Sequence, residues 1–379
     1  MSFIVYFFFL TYSAIHYYFF YKLKAAFQPS LLLASLIAVF FVIMVTSPLT
    51  VYFIERWGGP VLARTLAYIC YSWMGFLFFV FCLSLIFDLY RLFLFLLGHL
   101  LRHDFNYLIL SPKSSLFCMI VLSLGFFSYG FFEARDLRVE RLVVKTTKMP
   151  PSAKLIRIVQ VSDLHIGFTM RGERLRKVIE KIKETNPDIL VSTGDLVDGG
   201  SHGLLTEHTS FHDITPPLGK FAITGNHEFY AGLDRALEFT QRAGFTVLRG
   251  EAVNPGGMIN VVGFDDLLVR GDRSVRQRSF REVLSNLSPD KFTLLLYHRP
   301  LIDKDSLGTF DLQLSGHTHK GQIFPFCLLT RLFFPMHSGY YSLPKGSFLY
   351  VSPGAGTWGP PIRFLSPPAI TVIDLVPGS

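Results

Sequence analysis

Five short polar clusters, each directly behind an apolar run, stand in one order through the back two-thirds of a 379-residue chain. They are Asp163-Leu164-His165, Gly194-Asp195, Gly225-Asn226-His227-Glu228, a lone His298, and Gly316-His317-Thr318-His319. Aspartate and asparagine oxygens with histidine nitrogens form a mixed donor set that suits two divalent metal ions. A pair of such ions about 3.5–4 Å apart names a reaction class, hydrolysis of a phosphate ester or anhydride. The phosphoryl group repels hydroxide, so positive charge is needed on both sides of phosphorus. One carboxylate must bridge the ions, and Asp195 is the natural candidate because Gly194 lets the backbone come close. The leaving oxygen then needs a proton, which suits an imidazole free of metal. One cluster alone is weak. Five in sequence carry the signal.

Each cluster follows a run that reads as a strand. Residues 155–161, 189–192, 221–224, 245–248, 260–264, 292–297, 311–315, 348–352 and 369–375 are short, apolar and rich in β-branched or aromatic side chains, and 139–144 is a β-like run ahead of them. Helical patterns alternate with these runs. In residues 171–186, Leu175, Val178, Ile179 and Ile182 share one face, and Pro187-Asp188 ends the helix. Residues 233–243 form a second helix, and 276–287 a third that should bury Phe280, Val283, Leu284 and Leu287. Strands alternating with helices predict a layered α/β domain, with ligands collecting where strand carboxyl ends converge.

The first third is built for another solvent. Residues 1–130 hold seven Lys or Arg and three Asp or Glu, against 29 and 25 in the remaining 249. Each part is +4, so the net +8 is a mild excess, and no nucleic-acid partner is expected. Uncharged stretches at 1–21, 25–54, 65–87 and 114–132 are each long enough to span a bilayer, which takes about 20 apolar residues as helix. Residues 92–101 are too short to span alone and should extend the third helix, with Asp88 and Arg91 paired one turn apart. The first stretch lacks the basic start and small-residue cleavage site of a signal peptide. Cys70, Cys82 and Cys118 fall in spans, so Cys327 is alone in the remainder and forms no disulfide within it. The expected division is a bundle of about four transmembrane helices (1–132), a connecting arm (133–152) and an α/β domain (153–379). Short loops give five basic residues against two, or five against seven with the arm included, which leaves the side of the domain open.

Over roughly residues 155–375 these blocks resemble the calcineurin-like metallophosphoesterase superfamily, and most closely its membrane-anchored branch. The flanking text carries the resemblance: Ser162-Asp163-Leu164-His165-Ile166-Gly167, Gly194-Asp195-Leu196-Val197-Asp198-Gly199, Asp311-Leu312-Gln313-Leu314-Ser315, and Gly354-Ala355-Gly356 followed by Pro361-Ile362-Arg363. Lys320 departs from it, standing where the branch usually has glycine. It adds a cation at the rim and leaves the ligand set intact. The resemblance implies that Asp163, His165, Asp195 and His319 hold one metal and that Asp195, Asn226, His298 and His317 hold the other. It implies His227 as the unligated general acid, oriented by Asp198. Mn, Fe, Zn and Mg all fit such donors. It further implies a hydrolase acting on a membrane lipid or lipid-linked phosphate. The specific candidate is the pyrophosphate bond of UDP-diacylglucosamine in lipid A synthesis, which places the chain as a multi-pass protein of the bacterial inner membrane.

Other positions have plainer readings. Arg299 and Arg363 could grip phosphate oxygens bidentately, but exposed arginines are usually solvated and both are read so. His202, His208 and His212 lie in a polar loop without ligand spacing and are read as surface. Residues 323–341 are unusually apolar for a loop, with Phe324, Phe326, Leu328, Leu329, Leu332, Phe333, Phe334 and Met336 broken by two prolines. They read as a flap that dips into the bilayer or holds acyl chains rather than as core packing. The rival functions are a general phosphodiesterase or phospholipid phosphoesterase and, from another class, a non-catalytic membrane scaffold with a structural metal site. The intact donor set argues against the scaffold.

Overall fold

The structure, a computed structural model, describes residues 2–150, 154–199, 207–266 and 279–378. The chain divides into two compact units, residues 1–131 with 359–362, and residues 132–358 with 363–379. The first unit holds helices α1 (Ser2–Phe27), α2 (Leu31–Arg56), α3 (Pro60–Leu101) and α4 (Pro112–Glu133). Pro60 opens α3 at its first turn, where its missing N–H costs nothing, and Gly58 at φ 86° makes the preceding bend. Residues 92–101 do extend the third helix without a break, giving it 42 residues.

Among the described residues three helices are long and apolar enough to cross a membrane: Leu31–Arg56, Pro60–Leu101 and the helical stretch Asn106–Glu133. Four spans were expected. α1, 26 residues long and carrying tyrosines, His16 and two lysines, is not among those three. His16 has internal partners at both ring nitrogens: Trp73 donates to its Nε2 at 2.9 Å, and its Nδ1 meets the Tyr12 carbonyl at 2.8 Å. Internal pairing of this kind is what a lipid-facing bundle needs. The expected Asp88–Arg91 pair is replaced. Asp88 takes Lys22 and Tyr18 of α1 instead, and Arg91 donates to Leu110 O and Ser115 Oγ. A cross-helix partner won over the local one.

The second unit is two stacked six-stranded sheets. The first contains β1 (Arg138–Thr146), β2 (Ile156–Val161), β3 (Ile189–Ser192), β4 (Lys220–Ala222), β5 (Thr246–Val247) and β12 (Ala369–Pro377), in the order β1-β12-β2-β3-β4-β5. The second contains β6 (Glu251–Val253), β7 (Ile259–Phe264), β8 (Phe292–Tyr297), β9 (Leu312–Ser315), β10 (Gly339–Ser342) and β11 (Phe348–Val351), in the order β10-β11-β9-β8-β7-β6. β2 through β5 run parallel, as do β7, β8, β9 and β11. The run read as part of a connecting arm is a full edge strand, with β1 pairing β12 in parallel over nine residues.

Strand alternation explains the layers. Ile156, Ile158, Ile189 and Val191 face the second sheet, where they meet Ile259, Val261, Phe292, Leu294, Leu312 and Leu314. Their neighbours Val159, Val161 and Leu190 face outward, under α5 (Glu173–Glu184) and α7 (Leu233–Arg242). On the far side of the second sheet, Val262, Phe264 and Leu295 are covered by Val283 and Leu284 of α8 (Phe280–Leu284), with Phe280 and Leu287 partly buried against them. The front part of the predicted third helix, residues 276–278, lies outside the described residues. Two helices were not predicted, α6 (Asn226–Ala231) and α9 (Phe326–Phe333).

Candidate metal centre

All five clusters sit at the carboxyl ends of parallel strands, three from the first sheet and two from the second. β2 delivers Asp163 and His165, β3 delivers Asp195 and Asp198, and β4 leads through Gly225 into α6 with Asn226 and His227. β8 ends at His298, and β9 leads to His317 and His319. Buried Gln160 ties the sheets together below the site, donating to Thr193 Oγ1 and to Ser315 O at 2.9 and 3.0 Å.

The loops are fastened to each other. Asp163 N donates to Gly194 O and His165 N to Asp195 O, at 3.1 and 3.0 Å. Asp163, His165, Asp195, His317 and His319 all adopt positive φ, between 49° and 71°. For non-glycine residues that conformation costs on the order of 1–3 kcal/mol each and persists only where surrounding contacts enforce it. Gly316 shows how tight the enforcement is: a Cβ there would lie 1.9 Å from Ser162 Oγ and 2.3 Å from Asp163 Oδ2.

The donor atoms form three overlapping groups, Asp163/His165/His319, His165/Asp195/His227 and Asp195/His298/His317, each within 4.8 Å. His165 Nε2 and His319 Nε2 stand 3.0 Å apart, and His319 Nε2 is 3.6 Å from Asp163 Oδ1. Asp195 Oδ2 lies 3.1 Å from His298 Nε2, which is 3.2 Å from His317 Nδ1. Nitrogens this close, all turned toward carboxylate oxygens, have the arrangement of ligands around a shared cation. Asn226 Oδ1 is buried with no hydrogen-bond partner, an acceptor that a cation would satisfy. His298 Nδ1 meets Thr193 O at 2.8 Å, which leaves its Nε2 unprotonated for a metal in the neutral ring.

Electrostatics sorts the histidines. Burial disfavours charge on His298, but the Asp195 and Asp163 carboxylates outweigh it and push the ring up to about 10. Burial and the neighbouring His298 hold His317 well below its ordinary value, and burial with His165 and Arg363 does the same to His319. His227 is buried too, yet Asp198 and Asp195 push it up to about 9. Its Nδ1 is 2.8 Å from Asp198 Oδ1. Asp198 also reaches within 3.5 Å of His165 Nδ1. The structure thus brings every one of the nine predicted site residues to one place.

Glu228 closes the third cluster, and the sequence alone assigns it no role. It is fully enclosed, and its two oxygens accept from the backbone N–H groups of Asp195, Leu196, Val197 and Gly225, at 2.7–3.2 Å. It therefore locks the Asp195 turn to the start of α6. Its place beside Asn226-His227 was the only sequence signal. Reading the two arginines as solvated is overturned. Arg363 is fully buried, donating to the carbonyls of Pro353, Gly354 and Gly356 and standing 3.2 Å from His319 Nδ1. Arg299 is held through Nε by the buried carboxylate of Asp266 at 2.8 and 3.0 Å. His212 is exposed, His208 packs on Phe239, and His202 lies outside the described residues.

Residues 156–321 match the family model for the calcineurin-like phosphoesterases. An uncharacterized metallophosphoesterase of Aquifex aeolicus is 40% identical over 253 residues, 65% of this chain and 95% of that protein. YkuE, an uncharacterized metallophosphoesterase of Bacillus subtilis, is 31% identical over 66% of this chain and 90% of its own length. A transmembrane protein with metallophosphoesterase domain from Danio rerio is 31% identical over 65% of this chain and 59% of its own. With its donor set converging at the strand ends as described, the chain belongs to the calcineurin-like metallophosphoesterases.

Proposed function

We propose that this chain is a membrane-bound, dinuclear metal-dependent phosphoesterase that hydrolyses a phosphodiester or pyrophosphate bond of a lipid-linked substrate. One observation carries the chemistry. Asp195 lies within reach of nitrogen donors on two sides, His165 with His227 and His298 with His317, and of these four histidines His227 is the one paired through Nδ1 with Asp198 at 2.8 Å. Asp163, His165, His319 and Asp195 would hold one ion, and Asn226, His298, His317 and Asp195 the other. Such a pair would neutralise the phosphoryl oxygens and lower the pKa of a water.

The chain's own side chains do the remaining work. With Nδ1–H donated to Asp198, His227 presents Nε2 to the leaving oxygen and delivers its proton there. The Asp198 carboxylate at Nδ1 favours the protonated imidazole that this step needs. Glu228 and Ser162 fix the carboxylates, Glu228 through the Asp195 backbone and Ser162 by donating to Asp163 Oδ2 at 2.5 Å. The membrane setting is supported by three apolar helices and by relatives whose names include a transmembrane protein. UDP-diacylglucosamine, at the bacterial inner membrane, is the specific candidate substrate.

The test is turnover by the full chain in detergent, loaded with Mn, Fe, Zn or Mg, on an aryl phosphodiester, a lysophospholipid and UDP-diacylglucosamine. Metal-dependent hydrolysis that is abolished by a chelator, and faster on a lipid-linked substrate, is expected. No metal-dependent turnover on any of the three would leave the scaffold reading standing.

A further inference from the structure

The apolar segment beside the His-x-His turn is exposed, and it touches the metal centre from two directions. α9 buries none of its eight residues, and Leu332 and Phe333 are 76% and 77% exposed. Phe324, Phe326, Leu328 and Leu329 are exposed with them. The surface continues through the backbone: Phe324 N donates to Phe364 O and Phe364 N to Gln322 O, at 3.0 and 2.9 Å. That brings exposed Leu365 and Trp358 into the same face, because Gln322 holds the Trp358 backbone by two bonds of 2.9 Å. At one end Trp358 packs edge-on against His227, with ring centroids 5.8 Å apart. At the other, Phe334 packs against His317 at 5.2 Å. Thr318 clasps this end by donating to His337 O at 2.5 Å.

An apolar face of this kind in water would invite aggregation or mark an interaction surface. Two features name its occupant. The chain carries helices able to cross a membrane, and the last of them ends at Glu133, five residues before β1 begins, so a bilayer is always within reach of this unit. The charge around the face also suits a lipid surface. Residues 312–373 contain no Asp or Glu, while Arg331 on α9 is exposed and Lys320 beside it half-exposed. Cationic and apolar side chains side by side are the composition of an interfacial anchor, the apolar part entering the acyl boundary and the cations meeting anionic headgroups.

We propose that α9, with Phe324, Leu365 and Trp358, docks into the surface of the same bilayer that the helices span, so that the metal centre opens where lipid headgroups lie. This rests on the membrane part of the proposed function and is independent of its chemistry. The test is spin-label accessibility on the full chain in nanodiscs of phosphatidylcholine and phosphatidylglycerol, with Cys70, Cys82, Cys118 and Cys327 replaced by serine. A label at Phe333→Cys should collide with oxygen several-fold more often than with a polar nickel chelate, as a label at Val39→Cys in α2 does. A label at Glu180→Cys on the exposed side of α5 should show the reverse. Nickel accessibility at position 333 equal to that at 180 would overturn docking. So would shielding from both reagents, which means protein cover, or dipolar broadening that vanishes on spin dilution, which means a second copy. Hydrolysis of a soluble aryl diester by the same sample reports on the metal centre separately, so failure of the chemistry is distinguishable from failure of docking.

Discussion

At the scale of single residues, Asp195 and His227 differ in what their loss should do. Asp195 is shared between donor groups and also accepts the His227 backbone N–H at 2.8 Å, so in the proposed site it would hold both the ions and the acid. Asp195→Ala should lose metal and activity together, read by elemental analysis and turnover on one preparation. His227→Asn should keep its metal and slow esters with poor leaving groups by about 100- to 10,000-fold, the usual worth of general acid catalysis. An activated aryl leaving group needs no proton and should be nearly spared. Equal losses on both substrates would remove His227 from the acid role, and two metals per chain in Asp195→Ala would remove the bridge. Both residues were legible in the chain because the chemistry needs those residue types. Glu228 was not, since a carboxylate that binds only backbone N–H groups looks like any other acid until the turn it holds is seen.

Elements set the geometry, and loops between strand and helix are where it is tightest. Gly316 closes on Ser162 and Asp163 with no room for a methyl group. Gly316→Ala should push Asp163 out of line. Overpacking a filled site typically costs about 1–3 kcal/mol, so the melting temperature should fall by a few degrees and metal content with it. Unchanged metal content and turnover in Gly316→Ala would show that the close approach is not what places Asp163. The strand-end loops were foreseeable from punctuation by Gly-Asp and Gly-His. α9 was not. Its eight residues hold only two polar positions, Thr330 and Arg331, too short a window for a helical period to stand out, and two prolines marked the segment as irregular.

At the scale of the molecule, the site exists because two sheets stack with their parallel strands ending on one edge. Leu294 is fully buried between them, on β8 one strand from β9 and four residues ahead of His298. Leu294→Ala should cost about 2–5 kcal/mol through lost transfer energy and a cavity. The expected result is a lowered thermal transition for this unit, with metal content preserved in the fraction that stays folded. A change below about 0.5 kcal/mol, the range of surface substitutions, would mean that the intersheet layer is not what stabilises the unit.

The chain by itself determined the apolar character of its first third, the alternation of strands and helices in the rest, and the identity of the candidate donors. These depend on local composition and period, and on the fact that metal coordination admits few residue types. Only the tertiary structure decided that donors from two different sheets converge, that Arg363 is a buried clamp rather than a solvated cation, and that Asp88 pairs with Lys22 rather than Arg91. Those outcomes turn on partners distant in sequence, 44 residues away for Arg363 and His319, 66 for Asp88 and Lys22, and 154 for His165 and His319. A short-range pattern carries no information about which distant group will take a side chain out of water, and burial makes that choice.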